Sequence, residues 1–247
     1  MTSWPTGEVR TTDAVVSLRV VGPRQAILLI DGMESSFHDL DDPAHLDFEY
    51  MQHMTAVLDS FWGETTSVRA LHLGGAGCSL ATAWNAMRPG SSQTAIERDG
   101  ELTRLAREWF DLPRAPRLKI RHADARQAVE GFPENRWDVV VRDVFVQSQV
   151  PEHLADDATA RAVRRTLVDG GLYLVNLTDA PPLPATRREL RILNAVFPHV
   201  RTVIDPAIRR GRRFGNVVLA ASDAEFDDVD LAKRLRRLPV PAAVDAL

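Results

Sequence analysis

From Ser67 onward, short apolar runs alternate with segments of helical period, and no other feature of the sequence limits the fold as much. The runs at 68–73, 93–97, 118–122, 137–143 and 172–177 have strand length, and helical stretches at 78–87, 100–110, 125–131, 157–168 and 185–197 fall between or after them. Parallel neighbours need a crossover of about a dozen residues, which such helices supply, so the pattern predicts a doubly wound α/β sheet. Two further runs, 200–204 and 216–221, complete seven strands and read as an antiparallel pair. Sheets of this type take ligands outside the carboxyl ends of their strands, near the switch point, so the residues just after each strand are the ones to question.

Ahead of this pattern, the runs 14–21 and 25–30 flank Gly22-Pro23 and read as a β-hairpin. Phe48, Met51, Met54, Leu58 and Phe61 then recur at helical spacing over 46–62. The expected organisation is a hairpin and linking helix (1–62), the α/β domain (63–222), and a C-terminal helix around 229–238 with a tail (223–247). A formal net charge of -4, from 30 Lys plus Arg against 34 Asp plus Glu, argues against a nucleic-acid or membrane-surface partner and for a small molecule. The one cysteine, Cys78, excludes an internal disulfide and any multi-cysteine metal site, and suits a reducing compartment. No apolar run reaches the length of a membrane span and the N-terminus does not resemble a signal peptide, so a cytoplasmic location is expected. The seven histidines show no metal-ligand spacing, and no metal is expected.

Four positions could carry chemistry. Gly74-Gly75-Ala76-Gly77 joins the first strand to a helix, either as a tight connection only or as a turn that lets a ligand approach the backbone and the helix N-terminus. Glu97 ends the second strand some 20 residues on, where an acidic side chain can accept both hydroxyls of a ribose; the alternative is a surface carboxylate capping the next helix. Asp124 with Ala125 follows the third strand, suiting either a helix cap or an acceptor for an exocyclic amino group beside a small residue. Asp143 ends the fourth strand, where a carboxylate can hold or deprotonate an amine, or else form a salt bridge with Arg142 or Arg126. Asp138, at the other end of that strand, reads as structural. Cys78 reads as a packing residue, and Arg209-Arg210-Gly211-Arg212-Arg213 as a solvated turn rather than a phosphate site.

The series LHLGGAG (71–77), AIERDGELTRLARE (95–108), HADAR (122–126), WDVVVRD (137–143) and LVDGGLYLVN (167–176) resembles the Rossmann-like domain of class I S-adenosylmethionine-dependent enzymes and aminopropyltransferases. IDGMES (30–35) and HLDFEYMQHM (45–54) resemble the segment that leads into the catalytic domain of spermidine synthases, so the chain resembles the polyamine aminopropyltransferase family over about 14–222. The resemblance implies a donor, decarboxylated S-adenosylmethionine, held by Gly74, Gly75, Gly77, Glu97, Asp124 and Ala125. It also implies a small amine acceptor such as putrescine, placed and deprotonated by Asp143 and Tyr50. The hairpin unit is expected to cover the site or join two copies as a homodimer.

Departures from the family pattern are equally specific. Gly77 stands where the family has an acid that grips the donor's amine, Val146 where it has a second Asp, Met51 and Gln52 where it has His and Glu, and Ser35 where a Gln is frequent. Each removes charge complementarity to a cationic amine. The nucleoside half of the site thus reads as intact and the amine half as eroded. Methyl transfer from S-adenosylmethionine, which Gly77 would suit, and a non-catalytic protein that binds an adenosyl ligand are the two alternatives.

Overall fold

The computed structural model describes residues 4–146 and 149–245. Its main sheet contains β5 (Arg69–Leu73), β6 (Ser92–Glu97), β7 (Leu118–His122), β8 (Trp137–Arg142), β9 (Leu167–Asp179), β10 (His199–Ile204), β11 (Gly215–Ser222) and β12 (Ala243–Asp245). They lie in the order β12-β10-β11-β9-β8-β5-β6-β7, parallel from β9 to β7 and antiparallel elsewhere. The doubly wound α/β sheet is therefore present with its seven expected strands, and the tail adds β12 as an eighth on the β10 edge. Strand order reverses between β5 and β8, where Leu73 pairs with Arg142, so the switch point lies at Gly74 and Asp143.

Both faces of the central strands are buried, which explains why they read as unbroken apolar runs. Val139 and Val141 of β8 face one layer with Leu172 and Leu174 of β9, packed against α1 (Glu49–Trp62), α2 (Ser79–Met87) and α8 (Asp228–Arg236). Val140, Tyr173 and Val175 face the other layer, with α4 (Ala125–Gly131), α5 (Asp157–Thr166) and α6 (Pro184–Val196). Among the described residues no helix is long and apolar enough to cross a membrane.

Two elements differ from the sequence reading. The helix expected to run to 168 stops at Thr166, and Leu167 and Val168 instead open β9, with Asp169-Gly170-Gly171 inside that strand. The N-terminal hairpin is the centre of a four-stranded antiparallel sheet: β1 (Val9–Arg10), β2 (Val15–Gly22), β3 (Gln25–Ile30) and β4 (Met33–Asp39). Asp31 and Gly32, both at positive φ, turn the chain from β3 into β4. Val16, Ala26 and Leu28 of this sheet pack on Cys78, Ala81, Leu102 and Leu105, which fixes it over α2 and α3 (Gly100–Trp109). β4 reads MESSFHD and shows no strand-like apolar pattern, because Ser36 and His38 are spent on the glycine turn described below.

Candidate active site

The carboxyl ends of β5, β6 and β8, with the turn after β7, open onto a cavity of about 1040 Å³ that also meets β4 and the start of α1. At its floor Gly74 has φ +94°, and a Cβ there would lie 2.2 Å from the Asp143 carbonyl oxygen. Only glycine lets the turn begin while Asp143 N–H still donates to the Leu73 carbonyl at 2.9 Å. Glu97 Oε2 accepts from the backbone N–H groups of Gly75 (3.1 Å) and Ala76 (2.8 Å), and Oε1 accepts from Asp99 N–H (2.9 Å). The Glu97 carboxylate thus holds the turn in shape while lining the cavity. Capping of α3 falls to its neighbour Asp99, 3% exposed, which accepts from Glu101 and Leu102 N–H groups and, across the sheet junction, from Asp13 N–H.

Asp124 and Ala125 line the same cavity. Asp124 does cap α4 through Gln127 N–H (3.0 Å), and its other oxygen meets His153 Nε2 at 3.3 Å. Burial would raise the Asp124 pKa, but the bonds from Gln127 and His153 hold it below the ordinary value, so it stays an acceptor. His153 is itself held through its carbonyl by Arg126, which is engaged with Glu130 and Asp156 and leaves Asp143 alone.

Gly77 shows why an acid is absent there. Its N–H donates to Ser36 Oγ (3.0 Å), and its carbonyl accepts from His38 Nε2 (2.8 Å). A Cβ at this position would lie 2.7 Å from Ser36 Cβ and 3.1 Å from His38 Nε2. β4 therefore fills the space that a side chain at 77 would need. Burial lowers the His38 pKa to about 4, only partly opposed by its bond to Gly77, and the neutral ring stacks on Phe110 at 4.1 Å. Cys78 is buried beside it, and burial pushes its thiol up to about 12, in keeping with a packing role.

The switch point brings Asp143 and Tyr50 together. Tyr50 Oη donates to Asp143 Oδ2 at 2.8 Å, and Asn176 Nδ2 donates to Oδ1 at 2.8 Å. Asn176 Oδ1 accepts in turn from Asn216 Nδ2 at 3.0 Å. Burial raises the Asp143 pKa, and the bonds from Asn176 and Tyr50 pull it back down in part. Burial and the Asp143 charge push the Tyr50 phenol well above its ordinary value, so it remains a donor. Neither salt-bridge alternative for Asp143 holds: Arg142 turns to the other layer and pairs with buried Glu189 at 2.8 Å. Asp138 lies at the opposite end of β8, bonded to the Arg69 backbone and side chain.

Besides Ser36, His38 and His153, three contributors near Asp143 escaped the sequence reading. Asn176 stands as a polar residue inside the apolar run 172–177, and Asn216 carried no signal. Arg213, read as solvated, lines the cavity and pairs with Glu49 at 2.5 Å and Asp205 at 2.6 Å. Among the described residues no cluster of three or more His, Cys, Asp or Glu could hold a metal ion.

No family model matches the chain. A solved structure of a probable spermidine synthase from Corynebacterium glutamicum is 34% identical with a TM-score of 0.92, covering 98% of this chain and 91% of that one. A polyamine aminopropyltransferase of Neisseria meningitidis serogroup A is 26% identical over 147 residues, or 59% of this chain. The match spans 54% of that relative, about half its length. A spermidine synthase in complex with the transition-state analogue AdoDATO shares the fold at 18% identity and a TM-score of 0.67, over 94% of this chain and 78% of its own.

Proposed function

The chain belongs to the spermidine synthase-like family of polyamine aminopropyltransferases, and from that membership we propose that it transfers an aminopropyl group from decarboxylated S-adenosylmethionine to a small amine. The observation that carries the proposal is the Tyr50–Asp143–Asn176 arrangement, set beside the glycine turn in one cavity. Glu97 would receive the ribose hydroxyls and Asp124 the adenine amino group, with Gly74, Gly75 and Ala125 giving the room to approach.

Displacement beside a sulfonium needs no acid to help the leaving group; it needs a neutral amine held in line. The amine nitrogen forms a bond to the methylene carbon as the carbon–sulfur bond breaks, and the electron pair of that bond leaves with sulfur as a neutral thioether. The proton released from nitrogen passes to Asp143, whose burial raises its basicity and whose oxygens are fixed by Tyr50 and Asn176.

One observation favours a second reading, methyl transfer from S-adenosylmethionine: beside Gly77 stand a hydroxyl and a neutral imidazole, which would not repel a donor carboxylate. Calorimetric titration with methylthioadenosine, S-adenosylmethionine and decarboxylated S-adenosylmethionine separates the two. Tightest binding of the decarboxylated donor, with Asp143→Asn losing turnover but keeping donor affinity within a few-fold, is the expected result. Preference for S-adenosylmethionine would support methyl transfer instead, and donor binding without product from any amine would indicate a binding protein.

A further inference from the structure

β9 and β11 each carry an asparagine where neighbouring positions of the same face are apolar. The antiparallel register sets Asn216 opposite Thr178 and Val218 opposite Asn176, so the two amides meet diagonally on one face of the pair. That face also carries Leu172, Leu174 and Val218, and asparagine is depleted in strands, so packing alone gives no reason for either residue. Asn216 Nδ2 donates to Asn176 Oδ1 at 3.0 Å, and Asn176 Nδ2 donates to Asp143 Oδ1 at 2.8 Å. Asn176 is 1% exposed, whereas Asn216 is half-buried in the cavity wall.

The two ends of a carboxamide have nearly the same shape, so the space around Asn176 does not by itself choose which end faces Asp143. With Asn176 reversed, its carbonyl oxygen would meet the Asp143 carboxylate, and the bond from Asn216 would survive only if that amide reversed as well. Asn216 as it stands adds a second bond to the one arrangement that presents a donor to Asp143. An amide whose oxygen accepts a bond is also the stronger donor at its nitrogen. Tyr50 serves the other carboxylate oxygen. The charged and titratable neighbours on the surrounding elements are engaged elsewhere: Glu49 of α1 with Arg213, Glu97 of β6 with the glycine turn, and His72 of β5 with Gln93. Resting on Asp143 as the proton acceptor of the aminopropyl-transfer reading, we propose that Asn216 is a positioning residue, acting through Asn176 to hold the Asp143 carboxylate in the orientation that takes the amine proton.

The test is carbon-13 NMR titration of the aspartate carboxyl groups, with Asp143 assigned from Asp143→Asn, in wild type, Asn216→Leu, Asn176→Ala and the double variant. Asn216→Ala repeats the first change without the bulk of leucine. The Asn176 bond lowers the Asp143 pKa against burial, so weakening it through Asn216→Leu should move that titration, and the acidic limb of kcat/KM, to higher pH. With putrescine as acceptor, kcat should fall about three- to tenfold, as for one hydrogen bond between uncharged groups, with methylthioadenosine affinity unchanged. Once residue 176 is alanine, Asn216→Leu should have no further effect on either readout, because its route to Asp143 is gone. An Asp143 titration that neither variant at 216 moves, or that moves as far in the Asn176→Ala background as in wild type, overturns the positioning role and leaves aminopropyl transfer standing. A titration that moves as expected, in a protein that binds the donor but gives no product from any amine, upholds the hold on Asp143 and overturns aminopropyl transfer.

Discussion

Gly77→Asp puts back the acid that the family pattern has at this position, and the structure predicts harm rather than repair. The new Cβ would lie 2.7 Å from Ser36 Cβ and 2.9 Å from Ser36 Oγ, against a normal carbon–carbon contact of roughly 3.5–4.0 Å. Ser36 Cβ is one bond from the β4 backbone, so no rotamer change relieves the contact; the strand itself must move by about an ångström, at the ~1–3 kcal/mol typical of overpacking. That movement breaks the Gly77 N–H to Ser36 Oγ bond and buries a carboxylate beside a neutral imidazole, adding about 1–3 kcal/mol for polar groups left unpaired. The combined loss of ~2–6 kcal/mol should lower Tm by roughly 4–24 °C for a chain of this size, read by calorimetry. Titration of the same variant with decarboxylated S-adenosylmethionine should show no gain in affinity. Ser36→Gly combined with Gly77→Asp removes the nearest obstruction and should recover part of the lost stability, as a positive coupling in a double-mutant cycle. A Gly77→Asp protein as stable as wild type that binds the decarboxylated donor more tightly would refute the argument, because the space would then be free and the acid simply absent.

Tyr50→Phe removes one of the two bonds that lower the Asp143 pKa against burial. The carboxyl should rise further, and the acidic limb of the kcat/KM profile should move to higher pH while kcat falls by about one to two orders of magnitude, the range for a hydrogen bond to a charged group. Glu97→Ala should weaken donor binding in calorimetry by ~1–3 kcal/mol, and more than Glu97→Gln, because the Gly75 and Ala76 N–H groups lose their acceptor. Burial holds the His38 pKa at about 4, below its ordinary value of 6.5, so the folded protein binds fewer protons than the unfolded chain between those values. Stability from this group is therefore full above pH 6.5 and lost as pH falls toward 4, by about 3 kcal/mol in total. Urea unfolding of His38→Gln should show a correspondingly shallower fall over that window.

The parts of the site that sequence made legible are those built by one residue next to one strand. Period and length located β5, β6, β7 and β8, and Gly74, Glu97, Asp124 and Asp143 stand where the switch-point rule put them. Asp124 was also legible as a helix cap, and the structure shows that role beside its place in the cavity wall, so local pattern could not rank the two. The acceptor side was illegible because its partners are far apart in the chain. Arg213 sits in an arginine-rich turn whose ordinary fate is solvation, and its partner Glu49 lies 164 residues away.

Gly77 is the most instructive of these positions. Read along the chain, a glycine where a family has an acid is a deletion of charge, and the amine half of the site looked eroded. In the fold, the partner that makes glycine necessary is Ser36, 41 residues upstream on a strand whose polar sequence gave no strand signal. β4 reads as polar because it supplies a hydroxyl and an imidazole to the turn, so the same fact explains the missed strand and the missing acid.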